Sequence, residues 1–259
     1  GREAILKVHT QRVPLGPDVD IATLARSTTG FSGADLANLA NEAALTAVRD
    51  GHDRVTASDF ASAIDKIVFG GERPLILNDE DRHIVAFHEA GHALVAWLTP
   101  DADPVHKVTI IPRGRSLGMT QQVAGEDKYN YTRTYLLARL DVMLGGRASE
   151  EIALGEVTTG AEQDLMQASR LVRRMITQWG MGALGLAAFE AGDDEAFLGR
   201  DLAGRSLSEA TTARVEQNVE QILAERFQQV TDLLRAERSR LERLAAALLS
   251  EETVEQHDL

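Results

Sequence analysis

Up to about position 70, apolar side chains return every three or four positions in short runs separated by polar turn residues, the period of helices with one buried face. Asp18 stands before VDIATLARS and Gly30 follows it, a start and a stop signal. Ser32 opens SGAD, an S-x-x-D arrangement that predicts a capped helix running to about Arg49. DGHDRV (50–55) reads as a turn, and Thr56 and Ser58 open a further helix ending at Gly70-Gly71. Two glycines and a proline in GGERPLILN (70–78) then break the period. A helical domain is therefore expected over 1–70, a linker over 71–77 and a second domain over 78–259.

Asn78 predicts the cap of the next helix, with Asp79, Glu80 and Asp81 in its first turn, where the helix dipole favours negative charge. That helix stops near Thr99-Pro100. VHKVTIIP (105–112) alternates and is β-branched, which predicts a strand; LGMTQQV (117–123) reads as the second arm of a hairpin. Helical periodicity resumes over 132–144, 147–154, 161–179, 208–234 and 237–249, and the glycine-rich stretch 180–204 is irregular. The last two helices carry the stripes Val215, Val219, Ile222, Leu223 and Leu241, Leu244, Leu248, Leu249, expected to divide between core and subunit contact. The fold class expected is mainly α with a small β element.

Composition narrows the function. A chain of 259 residues, 44% hydrophobic, can bury the cores of two domains. A formal charge of −13 argues against a nucleic-acid surface. The absence of cysteine excludes disulfides and thiolate metal sites and fits a reducing compartment. No apolar run is long enough to span a membrane, and no secretory signal opens the chain. Gly1 begins in mid-pattern, so a piece of a longer chain is expected.

AFHEAGHALVAWL (86–98) sets three ionisable side chains into an apolar stretch. On a helix, His88 and His92 lie about 40° apart around the axis, and Glu89 flanks them. Two imidazoles at this spacing can grip one Zn²⁺, with the carboxylate in reach of a metal-activated water as general base. Ile84, Val85 and Val95 share the histidine face, so the imidazoles point into an apolar interior and need partners there. Ordinary buried hydrogen bonds are the bland alternative. Gly91, costly in a helix interior, predicts close approach by another segment.

A catalytic zinc needs a third protein ligand. In TTGAEQDLMQASRLVRRMITQW (158–179), Thr159 and Glu162 form a T-x-x-E capping box, which leaves Asp164 at the head of an apolar face made by Ala168, Leu171, Val172 and Met175. It could serve a metal or merely the helix dipole. Glu150 and Glu151 in GGRASEEI compete with it, orient a ligating imidazole from behind, or simply decorate a helix start. His9, His52, His83, His106 and His257 show no ligand spacing and read as surface or loop histidines.

Taken together, GREAILKVH, ARSTTGFSGADLANLANEAAL, FHEAGHALV, DPVHKVTIIPRG, LGMT, GGRASEEI, TTGAEQDL and TQWGM resemble the FtsH family of membrane-anchored, ATP-dependent zinc metalloproteases of the AAA class, from Gly1 to about Gly204. The resemblance implies a helical AAA lid subdomain followed by a mostly helical zinc peptidase domain with a small β element. It implies His88, His92 and Asp164 as zinc ligands and Glu89 as the catalytic base. It also implies a homohexamer acting on unfolded or damaged polypeptides. Membrane anchoring would come through N-terminal segments absent from this sequence, with these domains on the cytoplasmic side. Gly33 and Ala34 match a segment near the nucleotide in the family. No G-x-x-x-x-G-K-[ST] occurs, so ATP and Mg²⁺ are expected to act only in the full-length protein. Two other readings stand beside the protease: an inactive assembly or adaptor homologue, and a different zinc metallohydrolase. The strand at 105–111 is expected to offer an edge for an extended substrate, the alternative being that it only braces the active-site helix.

Overall fold

A computed structural model of the chain describes residues 1–71, 75, 77–114, 116–122, 128, 130–186, 188 and 208–256. Most of the linker expected at 71–77, most of the irregular stretch 180–204, Val123 and His257 lie outside the described residues.

Four helices form the first unit: α1 (Arg2–Thr10), α2 (Ile21–Ser27), α3 (Gly33–Arg49) and α4 (Ala57–Phe69). Their apolar stripes meet in a core centred on Leu6, Leu36, Leu39 and Phe60, all essentially without solvent contact. Ser32 and Thr56 cap α3 and α4 through reciprocal capping boxes with Asp35 and Asp59. The expected Asp18 cap is corrected: Asp20 caps α2, accepting from the N–H groups of Ala22 and Thr23. Asp18 instead accepts from the Ala57 N–H at the start of α4, 2.8 Å away. One residue separates these acids, and only Asp20 has its carboxylate over the free N–H groups at the start of α2.

The second unit contains α5 (Asp79–Leu98), β1 (Val105–Thr109), β2 (Met119–Gln122), α6 (Arg133–Leu154), α7 (Glu162–Thr177), α8 (Glu209–Ala236), α9 (Arg238–Glu251) and β3 (Thr253–Glu255). Asn78, Thr132 and Ser208 cap α5, α6 and α8. The stripes of α8 and α9 turn inward: Val215, Val219, Ile222, Leu241 and Leu248 are buried in this chain's own core, with Leu223, Leu244 and Leu249 packed against it.

Three sequence expectations change here. The break at Gly145-Gly146 does not occur, because α6 runs unbroken through both glycines. They lie where α5 crosses: a Cβ on Gly91 would meet the Gly145 carbonyl oxygen at 2.4 Å, and one on Gly145 would meet the Gly91 carbonyl oxygen at 2.8 Å. The glycines serve helix–helix approach rather than a turn, and Ser149 Oγ seals the crossing by donating to the Phe87 carbonyl at 2.6 Å. Next, β1 offers no free edge. The sheet order is β2-β1-β3, antiparallel throughout, so the C-terminal β3 occupies the side that a hairpin alone would leave open. Third, the Thr159–Glu162 capping box does not form. A 3-10 turn, Thr159–Ala161, precedes α7, and Thr158 caps it by accepting from the Gly160 N–H.

Candidate metal centre

The α5–α6 crossing and the start of α7 bring three donor atoms together. His88 Nε2 and His92 Nε2 lie 3.0 Å apart. Asp164 Oδ2 lies 3.2 Å from the first and 3.4 Å from the second. A tetrahedral zinc with bonds of about 2.0–2.1 Å separates its ligand atoms by about 3.3–3.4 Å. Among the described residues this is the one group of three side chains arranged to hold a metal ion.

The opposite ring nitrogens fix the tautomers. His92 Nδ1 lies 2.6 Å from the Val142 carbonyl oxygen, which can only accept, so Nδ1 carries the proton and Nε2 presents its lone pair. His88 Nδ1 donates in the same way to Glu150 Oε1 at 2.7 Å. Two lone pairs then converge with a carboxylate on one small space, an arrangement that demands a cation. Burial alone would push the His88 imidazole down. Hydrogen bonds to Asp164 and Glu150, and the charges of Glu89 and Asp164, outweigh it and raise the ring to about 10. A proton there satisfies the same demand that Zn²⁺ would. Burial of Asp164 is likewise outweighed by His88 and His92, which hold its carboxyl below the ordinary range.

Glu150 is fully buried on α6. Its second oxygen accepts from the Thr158 N–H at 2.8 Å, so one carboxylate ties α5, α6 and the turn before α7. Glu151, its rival, is exposed. Gly146 lies against both imidazoles: a Cβ there would sit 2.6 Å from His88 Nε2 and from His92 Nε2.

Glu89 is buried, and burial raises its carboxyl against the opposing pull of the His92 and His88 charges. Thr120 Oγ1, on β2, lies 2.8 Å from Glu89 Oε2 and 3.2 Å from its carbonyl oxygen. Thr120 also lines a cleft of about 840 Å³ between the two units, together with Gln121, Gln122, Arg139 and Gln167 on one side and Phe31, Ile64 and Val68 on the other.

Of the residues singled out from the sequence, His88, His92 and Asp164 converge, with Glu89 beside them. Gly33 and Ala34 do not join them; both are exposed in the first turn of α3. His52 pairs with Asp59, His83 packs edge-on to Phe87, and His9 and His106 are exposed. Thr120, Gly118, Gly146 and the Val142 carbonyl escape sequence reading. For Gly146 the signal was present but ambiguous, because a glycine pair reads equally as a helix break.

Comparison with known proteins agrees with this geometry. The model for peptidase family M41 matches residues 75–259, and that for the AAA+ lid domain matches 18–62. A protein of Sphaerobacter thermophilus named ATP-dependent zinc metalloprotease FtsH 4 is 49% identical over 261 aligned positions, covering 100% of this chain and 40% of the relative. ATP-dependent zinc metalloprotease FtsH of Nitrosococcus oceani is 50% identical, covering 98% of this chain and 40% of that protein. A Conexibacter woesei relative, named FtsH 3, is 48% identical over all of this chain and 34% of its own length. The chain thus spans about 40% or less of the curated relatives named here.

Proposed function

The chain belongs to peptidase family M41, and on that premise we propose that it forms the zinc-dependent endopeptidase part of an ATP-dependent protease. The observation that carries this is the convergence of two Nε2 lone pairs and one carboxylate beside a buried glutamate. His88, His92 and Asp164 would hold the zinc. The bound ion supplies Lewis acidity, which lets water ionise near pH 7. Glu89 takes the proton of the attacking water and returns a proton to the leaving amide nitrogen as the C–N bond breaks. Glu150 and the Val142 carbonyl hold the two imidazoles in the ligating tautomer throughout.

The substrate lies, in this reading, as an added strand on the outer edge of β2, which lines the inter-unit cleft and reaches Glu89 through Thr120. Such pairing reads main chain and tolerates many side chains. Peptides N-methylated at successive amides test it, since main-chain pairing predicts losses at alternate positions only.

Residues 1–70 would act as an AAA lid and 78–259 as the peptidase, joined at 71–77. In the full-length protein we place Gly33 and Ala34 beside nucleotide, with a homohexameric assembly, unfolded polypeptide substrates and a membrane anchor outside this sequence. Among the described residues no helix is long and apolar enough to cross a membrane.

Casein cleavage with matched zinc analysis tests the core of the proposal. Glu89→Gln is expected to abolish turnover at full zinc content, and Asp164→Ala to lose zinc as well. Cleavage that survives both a chelator and Glu89→Gln would sink the assignment.

A further inference from the structure

We propose that Thr120 is a positioning residue for Glu89, holding one carboxylate oxygen so that the base meets its proton in a fixed orientation. This rests on the reading of Glu89 as general base. Among the described residues the Thr120 hydroxyl is the one hydrogen-bond donor to that carboxylate, at 2.8 Å from Oε2. The other face of the side chain is closed by Gly118, where a Cβ would lie 2.8 Å from Glu89 Cγ, 2.8 Å from Oε1 and 2.7 Å from Val85 Cγ1. A glutamate has three side-chain torsions, and burial alone fixes none of them. Here the glycine leaves room for one path of the chain, and the threonine pins its end.

The geometry has a consequence for substrate recognition. Thr120 belongs to β2, an edge strand of the sheet whose Thr120, Gln121 and Gln122 line the cleft. The strand that would receive the substrate therefore also holds the base, so a substrate that orders β2 also orders Glu89. Misplacing a reacting group by about 1 Å can cost about 100-fold in rate, which sets the scale of what the hydroxyl protects.

Thr120→Val keeps the shape and removes the donor, whereas Thr120→Ser keeps the donor and removes the methyl. In the zinc-loaded protein, Thr120→Val is expected to lower kcat by about 10- to 100-fold with KM and zinc content unchanged. Thr120→Ser is expected to stay within about threefold of the parent. A peptide hydroxamate, which chelates zinc and donates its hydroxyl to the base, gives a readout independent of turnover. Its affinity should fall about tenfold in Thr120→Val and hold in Thr120→Ser. Equal loss in the valine and serine variants would make position 120 a packing site and overturn the proposal, as would loss of zinc from Thr120→Val. Glu89→Gln run alongside separates the two levels. If it still cleaves, the base assignment fails; if it is inactive while Thr120→Val matches the parent, only the role of Thr120 fails.

Discussion

A methyl group built on Gly146 would stand 2.6 Å from both His88 Nε2 and His92 Nε2, inside the space that an ion held by them would occupy. Gly146→Ala therefore competes with the metal directly, while α6, already continuous there, gains helix propensity. Glu150→Ala acts from behind by removing the acceptor of both His88 Nδ1 and the Thr158 N–H. Outer partners of this kind are worth about 10–100-fold in metal affinity. Zinc titration against a competing chelator should show such a loss for Glu150→Ala and at least as large a loss for Gly146→Ala. Helical circular dichroism should be unchanged in the glycine variant. His88, Glu89 and His92 were legible because their spacing matches the period of the helix that carries them. Thr120 and Gly146 were not, because their roles exist only once β2 and α6 have packed against α5.

At the scale of elements, the caps read most directly. Ser32, Thr56 and Asn78 stand where the structure starts α3, α4 and α5, since a capping side chain acts within three residues of itself. Elements defined by distant partners stayed hidden. β3 is three residues long and becomes a strand only by pairing with β1, and the glycine pair in α6 is tolerated only because α5 crosses there. The α4 box can be tested through pH. Burial of Asp59 would raise its carboxyl, but the N–H and hydroxyl of Thr56 and the ring of His52 outweigh burial and hold it below its ordinary 3.8. A carboxyl depressed in the fold contributes stability above the unfolded value and loses it as pH falls through the folded one. Asp59→Ala should thus cost about 1 kcal/mol by urea denaturation at pH 7. The gap from the parent should close as pH is lowered below about 4. A pH-independent gap would mean that the box contributes by shape and not by charge.

In the whole molecule the two cores are separate, yet α4 of the first unit is latched to the central strand of the second. Lys107 on β1 donates to Asp65 of α4, both largely buried, and Arg113 Nη2 stands 3.8 Å from the same oxygen. Beside this latch Gly70, at φ 88°, packs so closely that a Cβ would meet Gly114 Cα at 3.2 Å, and the Gly114 N–H donates to the Gly71 carbonyl. β1 in turn pairs Val108 with Thr120, so the latch, the sheet and the support of Glu89 form one connected path. Removing one partner of a buried ion pair costs about 3–5 kcal/mol because the other charge is stranded. The two losses should differ here. Lys107→Met leaves Asp65 with Arg113 still near, whereas Asp65→Asn takes the shared carboxylate from both Lys107 and Arg113. Thermal denaturation should therefore rank Asp65→Asn below Lys107→Met, with the double variant above the sum of the two. A coupling of about 0.5–3 kcal/mol is expected for groups in direct contact. Strict additivity would mean that the ammonium and the carboxylate do not meet in solution.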